Sequence, residues 1–80
     1  MTYSDAIIKR LNDLCAERNI NLHELSVLSG VTYSTLRDLV KGYSKAPRID
    51  TLHRIATGLG MTASEFLDFP EFNETPFENE

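Results

Sequence analysis

The sequence predicts an all-α fold, a compact bundle of five helices, and three observations predict it. Apolar residues recur at spacings of three and four, as a helix with one buried face requires. Ser, Thr, Asn or Asp stands just ahead of most of these stripes, twice with Glu three residues later. Glycine follows several of them, and no segment reads as a strand.

The first helix is expected from about Ser4 to Arg18. Ile7, Leu11, Leu14 and Cys15 form its buried stripe, with Ile8 at the edge, and Asn19 suits a left-handed stop. Lys9 and Asp13 can pair across one turn on the wet face. Asn21 and Glu24 stand in capping-box relation ahead of a second helix, Leu22 to Ser29, which is expected to turn Leu25 and Leu28 inward. Gly30 ends it, because glycine tolerates the positive φ found past a helix C-terminus. Only Val31 separates Gly30 from the next cap, Thr32. The third helix, Tyr33 to Lys41, buries Leu36, Leu39 and Val40 and stops at Gly42.

Tyr43 to Arg48 reads as a loop, consistent with Pro47. Asp50 is expected to cap a fourth helix that carries Leu52, Ile55, Ala56 and Leu59 on one face. Gly58 weakens that helix by up to about 1 kcal/mol relative to Ala, and Gly60 terminates it. Thr62 and Glu65 form a second capping box before a short fifth helix with Phe66 and Leu67. Pro70 is expected to stop further helix growth. The division that results is a helical domain over residues 1–69 and an acidic, mobile tail over residues 70–80.

Eighty residues fit one domain, and 41% hydrophobic with 25% charged residues is a globular balance. No apolar run approaches the roughly 20 residues of a membrane helix. The N-terminus lacks the basic flank and apolar stretch of a secretory signal. A single cysteine, Cys15, forms no internal disulfide and supplies no multi-thiolate metal site. His23 and His53 lie far apart, without a second cysteine or clustered carboxylates, so no metal is expected. Neither a phosphate-binding glycine fingerprint nor a nucleophile elbow is present. The expectation is a cytoplasmic, non-enzymatic protein with no cofactor and no membrane partner.

The net charge of −4 is unevenly placed. Residues 1–67 hold all eight Lys and Arg against seven acids, net +1, whereas residues 68–80 hold five acids and no cation, net −5. Between Thr32 and Arg54, five cations face Asp38 and Asp50, net +3. A polyanion responds to this local field rather than to the total.

Residues 21–42 therefore read as a helix-turn-helix. Two short helices meet at Ser29-Gly30-Val31, and Val31 must enter the core between them, which fixes the angle. In such a unit the first helix crosses the DNA backbone and the second lies in the major groove. Leu36, Leu39 and Val40 would face the core. Tyr33, Ser34, Arg37, Asp38 and Lys41 would fall on the outer flank or at the helix start.

Over residues 4 to 69 the chain resembles the phage-repressor and Cro type of helix-turn-helix regulators, also called the xenobiotic-response-element (XRE) type. The resemblance is carried by Ile20-Asn21-Leu22-His23-Glu24-Leu25, Ser29-Gly30-Val31-Thr32-Tyr33-Ser34-Thr35-Leu36 and Lys41-Gly42. Pro47-Arg48-Ile49-Asp50-Thr51-Leu52 and Leu59-Gly60-Met61-Thr62-Ala63-Ser64-Glu65-Phe66-Leu67 add to it. It implies a lambda-repressor-like five-helix domain that binds double-stranded DNA, regulates transcription, most often as a repressor, and acts as a homodimer. It implies base-reading positions at Tyr33, Ser34, Arg37 and Asp38. Lys41 and the Lys45 to Arg48 loop match its backbone-contacting region, and Asn21 and Thr32 are further backbone candidates. One position departs: the family commonly has Gln at the first residue of the second helix, where this chain has Leu22.

Phe66, Leu67, Phe69 and Phe72 cluster near the C-terminus and are the candidates for a dimer interface. The alternative reading is a protein-interaction module, or an antitoxin, on the same scaffold with an unspecified protein partner.

Overall fold

The structure is a computed structural model that describes residues 2–43 and 47–74. Thr2 and Asp5 begin it with a capping box outside the expected pair: Asp5 N–H donates to Thr2 Oγ1 at 3.1 Å, and Thr2 N–H to Asp5 Oδ2 at 3.2 Å. The helix they open, α1, spans Tyr3–Glu17. Asn19 follows with φ of 55°, the expected left-handed stop. The remaining helices are α2 (Leu22–Ser29), α3 (Tyr33–Val40), α4 (Ile49–Gly58), α5 (Ala63–Leu67) and α6 (Pro70–Asn73). The described residues are thus all helix and connection, with six helices in place of five.

Two differences from the sequence reading concern helix starts. Arg48, not Asp50, is the N-cap of α4: Leu52 N–H donates to the Arg48 carbonyl at 3.0 Å, so the first turn closes two residues early. The Asp50 carboxylate accepts from the Thr51 N–H at 3.0 Å instead. Pro70 does not end the helical fold but opens α6. At the first helical position its missing N–H costs nothing and its fixed φ is already helical. Residues 71–74 therefore belong to the fold, and residues 75–80 of the expected tail lie outside the described residues.

One core forms from contributions of every long element. The largest fully buried side chains are Leu11, Leu25, Leu36, Ile55 and Phe66, one each from α1 to α5. Val31 is buried between α2 and α3, as the short turn demands, and Cys15 is buried on the α1 stripe. Leu28 departs from expectation: it is 55% exposed and Val27 beside it 82% exposed. The reason lies across the helix pair. A Cβ on Gly58 would stand 2.8 Å from Ser29 Cα and 2.9 Å from the Leu28 carbonyl carbon. The backbones of α2 and α4 meet there, which leaves no space for the Leu28 side chain between them. Gly58 is a packing requirement, and its propensity cost is the smaller effect.

The C-terminal helices are held by α1. Arg10 donates from Nε to the Phe66 carbonyl and from Nη2 to the Glu65 carbonyl, both at 3.0 Å. These carbonyls sit in the last turn of α5, where backbone acceptors outnumber donors; the Glu65 carbonyl also accepts the Asp68 N–H at 3.3 Å. The Arg10 guanidinium also lies 5.1 Å from the Phe69 ring centroid. Lys9 Nζ bridges Asp13 at 2.7 Å, as expected, and Glu71 at 3.1 Å. Phe72 leans on Tyr3 and Phe69 with ring centroids 5.8 and 5.7 Å apart. Among the described residues, no helix is long and apolar enough to cross a membrane.

Candidate nucleic-acid interface

The helix pair α2–α3 is delimited by local signals, caps and a turn. Asn21 Oδ1 accepts the Glu24 N–H at 2.8 Å, and Glu24 Oε1 accepts the Asn21 N–H at 3.1 Å. Gly30 then turns the chain with φ of 73° and its N–H bonds back to the Ser26 carbonyl. Ser29 Oγ accepts the Val31 N–H at 3.2 Å, which ties the turn from within. Thr32 Oγ1 accepts the Thr35 N–H at 3.3 Å and so starts α3. Leu36 and Leu39 anchor α3 in the core, with Val40 half-buried beside them. Two anchors on an eight-residue helix leave its other flank outward.

That flank holds the expected residues. Tyr33 and Ser34 are exposed in the first turn, where free backbone N–H groups favour anions. Arg37 and Asp38 follow with side chains 42% and 39% exposed. Arg37 Nη2 lies 3.1 Å from Asp38 Oδ1, so Asp38 pairs with its neighbour and not with Lys41. A surface pair of this kind contributes about 0–1 kcal/mol. A bidentate Arg–guanine contact discriminates by about 1–3 kcal/mol, so DNA can draw the guanidinium away at small cost.

The backbone candidates divide. Lys41 is the exposed C-cap of α3 and has no ion-pair partner among the described residues. Arg48 is exposed and lies 3.3 Å from Asp50. Asn21 and Thr32 are exposed but their side-chain oxygens serve as helix caps. Lys45 lies outside the described residues. Leu22, at the position of the missing Gln, is half-buried against the core and offers no hydrogen bond.

The dimer candidates also divide. Phe66 and Phe69 are 1% and 6% exposed, so they are core residues of the protomer with almost no surface left for a second copy. Leu67 and Phe72 are half-buried on the edge of that core. They line an apolar groove of about 260 Å³ together with Tyr3, Ile7, Ile49 and Leu52. Elsewhere, burial pushes the Cys15 thiol pKa up, which favours the protonated, inert form. Among the described residues no three His, Cys, Asp or Glu side chains converge as a metal site.

Sequence reasoning misses one feature of this surface. The His23 and Tyr33 rings stack face to face, centroids 3.9 Å apart and planes inclined by 4°. The contact joins the start of α2 to the start of α3 across the turn, so no helical period announces it.

A bent pair of capped helices, the second with a buried seam and an exposed polar flank, defines a helix-turn-helix DNA-binding domain. The Cro/C1-type helix-turn-helix DNA-binding domain matches residues 10–71, and the chain belongs to this family. It is 32% identical over 72 residues to a protein of Bacillus subtilis (strain 168) named the uncharacterized HTH-type transcriptional regulator YozG, with 90% of this chain and 86% of that protein covered.

Proposed function

We propose that the protein is a sequence-specific transcriptional repressor that acts as a homodimer and inserts α3 of each protomer into successive major grooves. The observation that carries this reading is the outward flank of α3: Tyr33, Ser34, Arg37, Asp38 and Lys41 all reach the surface while Leu36 and Leu39 hold the helix to the core. In this reading Arg37 donates to a guanine and Asp38 accepts from a cytosine amino group. Tyr33 and Ser34 meet a thymine methyl or a phosphate at the helix start. Lys41, Lys45 and Arg48 neutralise phosphates, each steepening the salt dependence of binding by about 0.9. The half-sites then lie about 34–36 Å apart.

Selection from a random duplex pool at low salt tests this. A two-fold motif with that spacing is the expected product. Recovery of no motif, with no binding retained at about 50 mM salt, overturns the reading.

A further inference from the structure

We infer that His23 is a positioning residue for base recognition: its imidazole, stacked on Tyr33, holds that aromatic ring in one orientation at the leading end of α3. The inference rests on the DNA-binding reading above. The parallel rings, 3.9 Å between centroids and 4° between planes, span two helices at a point that the core does not reach. Both residues lie outside the buried core, Tyr33 being 36% exposed, so core packing alone does not fix the Tyr33 ring. Among the described residues Tyr33 makes no side-chain hydrogen bond and no ring contact other than this one. Leu22, one residue before His23, is turned to the core and cannot hydrogen-bond to α3. The stack is therefore the one side-chain link described between the first turn of α2 and the Tyr33 ring. A ring held in place beforehand loses less freedom when DNA arrives, and that gain goes to the base step it faces. His23 touches no base in this account and acts through Tyr33.

The test uses the full chain and the duplex recovered by selection, with His23→Ala, His23→Phe, Tyr33→Ala and the double variant His23→Ala/Tyr33→Ala. Tyr33→Ala first marks the base position that Tyr33 senses. His23→Ala is expected to lower discrimination at that same position by about two- to tenfold, the range of one aromatic pair. The salt slope and the preferences elsewhere stay unchanged. His23→Phe, which keeps a stacking ring without the imidazole N–H, restores discrimination. His23→Ala adds nothing once Tyr33 is gone. In the free protein, NMR should show the Tyr33 ring protons shifted by the stacked imidazole, and His23→Ala should remove that shift. Independent, additive losses from His23→Ala and Tyr33→Ala overturn the inference while DNA recognition stands. So does a His23→Phe protein that behaves like His23→Ala, or a Tyr33 ring unaffected by the substitution. Unaltered selectivity in Tyr33→Ala removes the base-reading role of Tyr33 together with the inference. Failure to recover any duplex removes the reading beneath both, and the NMR arm still reports on the stack.

Discussion

The helix pairs α2–α3 and α5–α6 are both too short to persist alone, and the molecule secures them in different ways. Charged side chains of α1 reach over to hold α5 and α6: Arg10 takes two terminal carbonyls, and Lys9 takes Glu71. Asn73 donates to Asp68 at 3.0 Å within the same region. The pair α2–α3 is instead held by backbone and apolar contacts: helix caps, the Gly30 turn, the Gly58 approach, and buried Leu25, Leu36 and Leu39. The difference decides which charges remain for a partner. Lys9 and Arg10 have internal work, whereas Lys41 and Arg54 have no ion-pair partner among the described residues. The acidic pI of about 5.0 thus coexists with an outward cationic flank.

The largest effect is expected from Phe66→Ala. As the fully buried member of α5 it should cost about 3–5 kcal/mol in chemical denaturation. A loss below about 1 kcal/mol, accompanied by dissociation of a dimer, would return Phe66 to an interface. Next comes Gly58→Ala. Ala gains up to about 1 kcal/mol of helix propensity, but its methyl meets α2 backbone at 2.8 Å. Overpacking against backbone should leave a net loss of about 1–3 kcal/mol. A melting temperature at or above the parent value breaks the claim that α2 rests directly on α4.

On the other pair the expected effects fall on DNA and not on folding. Arg37→Ala should lose about 1–3 kcal/mol of discrimination at one base position per half-site and keep stability within about 0.5 kcal/mol. Lys41→Ala should weaken all sequences alike and flatten the salt slope by about one unit. Identical behaviour of the two variants in quantitative binding titrations would erase the separation of reader from anchor.

The smallest effect concerns acid. The Thr62 N–H and hydroxyl bonded to Glu65 hold its carboxyl below the ordinary glutamate value. The cap is therefore retained through the ordinary glutamate range and is lost as pH falls through the lower folded value. Following the Thr62 amide by NMR from neutral pH into acid should show that step, and Glu65→Gln should abolish it. A step that survives in Glu65→Gln assigns the transition to another carboxyl.

What the sequence makes legible is what short-range chemistry controls. Asn21 with Glu24 and Thr62 with Glu65 are boxes because their spacing alone satisfies the first N–H groups of a helix. Val31 had to be buried because one residue cannot bridge two helices otherwise. The family resemblance stated from those motifs is confirmed by the match over residues 10–71. The illegible parts depend on distant segments. Leu28 looks like a core residue until α4 comes to rest on its backbone. Pro70 reads as a breaker until Lys9 and Tyr3 supply a surface on which α6 can lie. His23 and Tyr33 find each other only after the turn has set the angle of the two helices.

Cys15 gives this fold an internal clock. It is the sole thiol in the chain, it is 8% exposed, and burial biases it toward the unreactive protonated state. An alkylating reagent therefore reaches sulfur chiefly in those moments when α1 lifts from its neighbours. The ratio of that labelling rate to the rate of an unhindered thiol measures the opening equilibrium directly, with no probe added to the protein.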